Sequence, residues 1–440
     1  MFQHNKAYDN SSSSSSSIYN INNVENNTNP PHENIPCLKN NLIGCYDDKL
    51  LYKSLFENFP IITIDFPMLT NFSSFLKVEN EIFDEIFIKY PTNFYCVKIF
   101  GDEFCKHKIT IKNFFGSIIE KNIRIKEINL NEFLFCKIED KERKYIFEFL
   151  DLFIKTNIFL EKISFSRFGL ENEDIDKLSG FFKNNKNIKC IDFSRNKKLD
   201  DGCIDYLNSI LKSENIENIL INFTSIKNTV FLNEIIKMEI KKSFEKELDF
   251  IDLEGLYLTD MNILYIKNNI ENDFFDNVLN INLGSNNINS NGIKYLSEKL
   301  ISNTKNKINI IKLDSNNLND DSMDALGLFI KNKGTLEYIN LSSNQITNKG
   351  INILSKHIIG ECCLKSLSFS ANKNISNDSV IFFEDMIKQS SINDLSINHT
   401  SISEEYSNFL DKLTNIPFEE REIPIITVEN VKSASKRMKE

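Results

Sequence analysis

Asp252 and Glu254 are the residues of this sequence whose types and spacing come closest to acid–base chemistry. Two apart on an extended segment, their carboxylates face the same side, and paired carboxylates can share proton transfer. Their context, "LDFIDLEGL" from Leu248, puts them on an open surface with nothing to exclude water or raise a pKa. Cys96, Cys105 and His107 are close enough to suggest zinc ligands, but no second pair at a usual ligand spacing follows. Of the five histidines, His4 and His32 lie in a low-complexity start, His357 falls late in a helical pattern and His399 sits at a strand end. No HExxH, GxSxG or P-loop pattern occurs. The expectation is a chain that is not an enzyme, with no catalytic residue, no cofactor and no metal.

The elements around these residues repeat. "LEYINLSSNQITNKGINILSKHI", Leu336 to Ile358, sets apolar residues at Leu336, Ile339 and Leu341, then Asn344, then a helical pattern through Ile351, Leu354 and Ile358. The same unit starts at Ile188, Ile216, Leu248, Val278, Ile308, Leu364 and Ile392, at intervals of 28 to 32 residues. Looser copies start at Ile125 and Leu160, and fainter ones at Ile61 and Phe94. A period in this range marks a solenoid in which no unit buries its apolar face alone.

The asparagine has a physical reason. The triplet is a short strand with alternate side chains pointing inward, after which the chain turns sharply toward its helix. That turn leaves buried backbone groups without partners, and an amide side chain supplies both donors and acceptors. Thr224 and Thr400 stand in the asparagine position and do this in part; Phe133, Phe168 and Leu256 cannot, so their turns should be less regular.

The spacing of Leu336, Ile339, Leu341 and Asn344 resembles the leucine-rich repeat, and the helical halves "GIKYLSEKL" and "GINILSKHI" are similar to its ribonuclease-inhibitor-like subtype. The resemblance implies an α/β horseshoe: parallel strands on the concave face, helices on the convex face, and a mostly helical N-terminal cap. "HKITIKNFF", His107 to Phe115, also resembles the segment preceding the repeats in the T-complex-associated testis-expressed family. His107, Thr110, Lys112 and Phe115 match in kind, and Ile111 stands where that family carries tryptophan. This family is the leucine-rich-repeat subunit of the nexin–dynein regulatory complex, so the resemblance implies a scaffold of the cytoskeleton, in the axoneme of a cilium or flagellum. Ran GTPase-activating proteins share the repeat subtype, but they end in an acidic segment where this chain ends in "VKSASKRMKE".

In such a horseshoe the residues between the apolar strand positions face a partner. Most are small and polar here. The middle is richer: Arg167 and Arg195 hold the same position in adjacent repeats and should stack, Phe223, Phe250 and Tyr338 are candidate exposed aromatics, and Asp252 and Glu254 form an acidic strip with Asp249. With Asp192, Lys312 and Asp314 they make the candidate partner-binding set.

The net charge of −10 speaks against nucleic acid, which favours basic patches. No run approaches the ~20 apolar residues of a membrane helix. The nine cysteines are scattered apart from Cys362–Cys363, with no CxxC, and read as reduced thiols of a cytoplasmic protein. Protein partners are expected, with the chain a monomer inside a larger complex. Four segments follow: a low-complexity arm at 1–40, an N-terminal helical cap with room for degenerate repeats at 41–121, the repeats at 122–418, and a cap strand and loose tail at 419–440.

Overall fold

The computed structural model describes residues 124–131, 140–183, 185–358 and 362–421, together with three strand backbones nearer the N-terminus. The helical patterns at 48–59 and 80–90, the turn at Phe133, the candidate ligands Cys105 and His107, and the segment 422–440 lie outside the described residues.

Strands β1 (Cys37–Leu38), β2 (Ile61–Phe66), β3 (Phe94–Ile99), β4 (Ile125–Asn129), β5 (Lys162–Ser164), β6 (Cys190–Asp192) and β7 (Asn218–Leu220) pair in parallel, in chain order, as one sheet. A second parallel sheet holds β8 (Phe250–Asp252), β9 (Asn280–Asn282), β10 (Ile310–Lys312), β11 (Tyr338–Asn340), β12 (Ser366–Ser368) and β13 (Asp394–Ser396). The faint triplets at Ile61 and Phe94 are therefore strands, paired over six residues, and β1 occupies the last residues of the segment read as an arm. Helices alternate with the strands: α1 (Asp140–Thr156), α2 (Asn172–Phe182), α3 (Ile204–Leu211), α4 (Thr229–Glu245), α5 (Asp260–Asn269), α6 (Ser290–Ser302), α7 (Ser322–Asn332), α8 (Asn348–Ser355), α9 (Val380–Lys388) and α10 (Glu404–Thr414).

The register carries the period. Ile163 aligns with Ile191 and Ile219, and Ile251 aligns in turn with Ile281, Ile311, Ile339, Leu367 and Leu395. All point between strand and helix and are buried. Burial of such a side chain contributes ~1.5–3 kcal/mol, and most of it comes from adjoining repeats. Between Phe165 and Phe193 the packing is aromatic, the two rings stacking at 5.9 Å with Phe168 and Phe182 edge-on.

Each asparagine stitches two repeats. Asn316 Nδ2 donates to the carbonyls of Leu283 and Leu313, and its Oδ1 accepts from the Ile288 amide. Asn196, Asn286, Asn344 and Asn372 do the same one repeat apart. Thr224 and Thr400 donate to Ile221 and Ile397, Thr400 Oγ1 also accepts from the Ile402 amide at 3.4 Å, and these bonds stay within one repeat. Where Phe168 and Leu256 replace asparagine, the turn takes an extra residue of positive φ, Gly169 at 85° and Tyr257 at 54°.

Between β7 and β8 the ladder stops. From Ile188 onward the repeats starting at Ile216 and Leu248 are the most widely spaced, and α4 between them runs for 17 residues. Its end comes down beside both strands and places polar groups in the gap. Ser243 Oγ donates to the Phe250 carbonyl at 2.5 Å, and Glu239 Oε2 accepts from Asn218 Nδ2 at 3.5 Å. At the other end of the strands Asn222 Nδ2 takes the Glu254 carbonyl, and the Phe223 amide reaches one residue further, to Gly255 O at 2.6 Å. The two sheets are thus joined by side chains and turns.

Candidate interaction surface

The inner face is built from three residue rows on the strands. Much of it is tied up by bonds running from repeat to repeat. Ser164 Oγ bridges Asn131 and Asp192, whose other oxygen accepts from the Ser194 amide. Ser342 bonds Ser368, and Ser370 bonds Ser396. Asp192 therefore organises its neighbours, and it is only half-exposed.

The carboxylates of Asp252 and Glu254 are held apart in function. Asp252 Oδ1 accepts from the Glu254 amide at 3.2 Å, and Glu254 Oε2 accepts from Asn282 Nδ2 at 3.0 Å. Asp314 accepts from Asn340 Nδ2 at 3.0 Å. Gly284 lies between these acids: a Cβ there would sit 3.1 Å from Asp314 Oδ1 and 3.2 Å from Asn282 Oδ1. Burial pushes the Asp314 carboxyl up, and the Glu254 charge adds to it, while its backbone bond and Lys312 pull the other way. Phe250 is 42% exposed, Asp252 and Lys312 are exposed, and Tyr338 is half-buried. These four give the inner face its accessible aromatic and charged groups.

Arg167, Arg195 and Phe223 lie elsewhere. They are in the turn beyond the strands, at a position where each repeat needs positive φ: Arg167 at 53°, Arg195 at 62° and Phe223 at 59°, followed by Gly255, Ser285, Ser315, Ser343, Ala371 and His399. The amides of Arg167 and Arg195 bond the turns of their next neighbours, which confirms the shared position. The Arg195 side chain has an aromatic partner one repeat on. Arg195 lies over the Phe223 ring, 4.8 Å from its centre, and that ring covers Gly255. Phe223 is therefore a half-buried rim residue and not an aromatic of the concave face.

Sequence reasoning missed the next part of the rim. Lys227 lies over the Tyr257 ring at 5.3 Å, and beside it Val230 and Met261 are 75% and 60% exposed. Both occupy the second residue of their helices, where Glu173, Asn291, Lys349 and Glu405 stand in α2, α6, α8 and α10, and where Gly202 and Asp378 stand in the 3-10 turns leading into α3 and α9. That exchange of polar for aliphatic was readable only once the helix starts were known.

Nucleophiles are not activated. Burial pushes the Cys190 thiol up, and that of Cys203 up to about 12, away from the thiolate a nucleophile needs. Among the described residues no group of three or more His, Cys, Asp or Glu could hold a metal ion. No described helix is long and apolar enough to cross a membrane.

The parallel ladder, the asparagine stitches and the alternating helices decide the architecture. The fold is a leucine-rich repeat solenoid. No protein-family profile matches the chain, and no curated protein matches it. Among solved structures it is similar to an internalin (inlF) from Listeria monocytogenes strain 4b F2365, at 16% identity over 73% of this chain and 72% of that one, with a TM-score of 0.37. It is also similar to a chain of the Rad7 and Elc1 complex in yeast, at 13% identity over 76% and 75%, TM-score 0.33. A third likeness, to the TLR13–ssRNA13 complex, has 12% identity and TM-score 0.29 and covers 66% of this chain but 35% of that one.

Proposed function

We infer that this chain is a non-catalytic interaction scaffold of the ribonuclease-inhibitor-like repeat subtype, docking a partner protein on its central repeats. The carrying observation is the turn row. A left-handed backbone costs a side-chain-bearing residue about 1–2 kcal/mol, which glycine avoids. Arg195 and Phe223 nonetheless keep large side chains there, in contact with each other. Arginine and aromatic anchors at such a site suit a protein interface. Arg167, Arg195, Phe223, Phe250, Asp252, Glu254, Lys312, Asp314 and Tyr338 border the docking region, with Asp192 supporting it from within.

The partner context we favour is the axonemal dynein regulatory complex, on the strength of His107, Thr110, Lys112 and Phe115. The second reading, a regulator of a Ran-type GTPase, draws on two arginines held at adjacent turn tips.

The test is recovery of partners with the tagged full chain from flagellated cells, beside the Arg167→Ala, Arg195→Ala double variant. Dynein-regulatory subunits in the axonemal pellet, lost with the variant at unchanged melting temperature, support the first reading. Undiminished recovery with the variant removes the turn row from the interface. Acceleration of GTP hydrolysis by the purified chain replaces the first reading with the second.

A further inference from the structure

We propose that the rim of the two repeats flanking the sheet break is a separate docking surface, and that it takes a short acidic peptide segment carrying an aliphatic or aromatic anchor. The inference rests on the reading of the chain as an interaction module but uses a face other than the concave one.

Four observations converge on this rim. Val230 and Met261 expose 75% and 60% of their surface at a helix position held by Glu173, Asn291, Lys349 and Glu405 in α2, α6, α8 and α10. They are neighbours: Asn262 Nδ2 bonds both the Thr229 carbonyl and Asn233 Oδ1, which ties the start of α5 to the start of α4. Scattered exposed aliphatics are ordinary, but two adjoining ones in register form a patch. Tyr257 sits beside them at a φ of 54°, in the turn that lost its asparagine.

Charge chooses the occupant. Lys227 lies over Tyr257 and makes no ion pair among the described residues. The nearby Asp201 carboxylate is turned to the backbone, one oxygen accepting from the amides of Lys227 and Asn228, and its charge does not pair with Lys227 Nζ. In a chain of net charge −10, an apolar pair edged by an ammonium without a carboxylate partner selects a partner with carboxylates around an apolar side chain. Nucleic acid fits less well, because bare aliphatics replace the phosphate-binding side chains it would need.

The test pans the full-length chain against a phage-displayed random dodecapeptide library, then measures the enriched peptides by fluorescence anisotropy. The expected consensus has Asp or Glu flanking Leu, Met or Phe. Binding should fall by about tenfold or more in the Val230→Glu, Met261→Glu double variant, and by a smaller factor in Lys227→Glu, as for loss of a hot-spot anchor and of a rim charge. The concave variant Phe250→Ser, Tyr338→Ser should bind unchanged. An absence of enrichment overturns the proposal, as does peptide binding undiminished by Val230→Glu, Met261→Glu. So does a single-stranded RNA 20-mer that binds and is lost with the same variant. A dimer in sedimentation that the same double variant dissolves also overturns it, by making a second copy of the chain the occupant. Peptides lost only with Phe250→Ser, Tyr338→Ser overturn this surface while leaving the concave docking reading intact.

Discussion

The guanidinium of Arg195 lies 4.8 Å from the ring centre of Phe223, its counterpart one repeat on, and both backbones have positive φ. The backbone of this turn is set by the ladder, since the Arg195 amide bonds Asn222 O at 2.7 Å and the Phe223 amide bonds Gly255 O. The side chains are additions to a turn already determined. Arg195→Gly should therefore leave the fold intact: loss of a cation–π contact worth roughly 0.5–1 kcal/mol is offset by release of a similar backbone strain. Thermal unfolding of the variant tests this. A loss well above 1 kcal/mol would mean that the arginine is structural and that its use as a binding anchor needs another argument.

The asparagine stitches should be the costliest polar residues to remove. Asn316→Ala leaves the Leu283 and Leu313 carbonyls and the Ile288 amide buried without their partner. A stability loss of about 3 kcal/mol is expected, because each orphaned buried group costs ~1–3 kcal/mol and part of the turn relaxes toward water. Asn316→Thr should fall between, since the bonds of Thr224 and Thr400 satisfy groups of their own repeat and none of the adjoining one. Urea unfolding of the three chains orders them wild type, threonine, alanine.

Asp314 gives the chain a pH signature that can be isolated. Its folded pKa is raised, by burial first and by Glu254 second. The folded chain then holds this proton more tightly than the unfolded chain does. Its contribution to stability is present on the acid side and lost as pH rises through the folded pKa. Asp314→Asn removes the buried charge and keeps an oxygen for Asn340, so it should stabilise the chain at neutral pH. The difference in urea midpoint between variant and wild type should grow from about pH 4 to pH 7. A constant difference across that range would show that Asp314 is not protonated more readily when folded.

Arg421 closes the described end of the solenoid by gathering backbone carbonyls. It is buried, and its guanidinium donates to five carbonyls, those of Ile387, Ser390, Ile392, Thr414 and Ile416. Several lie just beyond the ends of α9 and α10, where a cation is favoured by the helix dipoles. Arg421→Met should cost about 3 kcal/mol, because hydrogen bonds to a charged donor are the strong ones and the carbonyls stay buried. Limited proteolysis should then cut within α10 before any other repeat opens. Cleavage elsewhere first would mean that another group holds this end.

What the sequence made legible follows from which information is carried by side-chain type. The asparagine positions, the strand triplets and even the faint triplets at Ile61 and Phe94 were readable because each demands one kind of side chain. The positive-φ turn was not, because Arg167, Phe223, Ser315, Ala371 and His399 share a backbone position and no chemistry. Phe223 was placed on the inner face for that reason: strand alternation cannot say where the strand stops. Val230 and Met261 stand out only against the other helix starts, which become comparable once the caps Asn228 and Thr259 are located. The long interval from Ile216 to Leu248 was visible, but spacing alone does not tell an insertion in a helix from a break in a sheet.

That break should be the weakest line in the solenoid. Strands β6 and β7 share a ladder, and so do β8 and β9, but β7 and β8 do not. In its place stand Ser243 on Phe250, Asn218 on Glu239, and an exposed pair between Lys246 and Glu217 at 2.9 Å that contributes little in water. A repeat protein's stability is close to a sum over its interfaces, so the interface with the fewest backbone bonds opens first. Amide hydrogen exchange should therefore be faster at Ile219, Ile221 and Ile251 than at the aligned Ile191, Ile281 and Ile311. Ser243→Ala should widen the gap by removing one bond to a buried carbonyl, at a cost of about 1 kcal/mol. The rim patch around Val230 and Met261 bridges the same junction, so a peptide bound there should slow exchange at Ile219 and Ile251 and leave Ile339 and Leu367 unchanged. Uniform exchange along all strands would mean that α4 joins the two sheets as firmly as a ladder does.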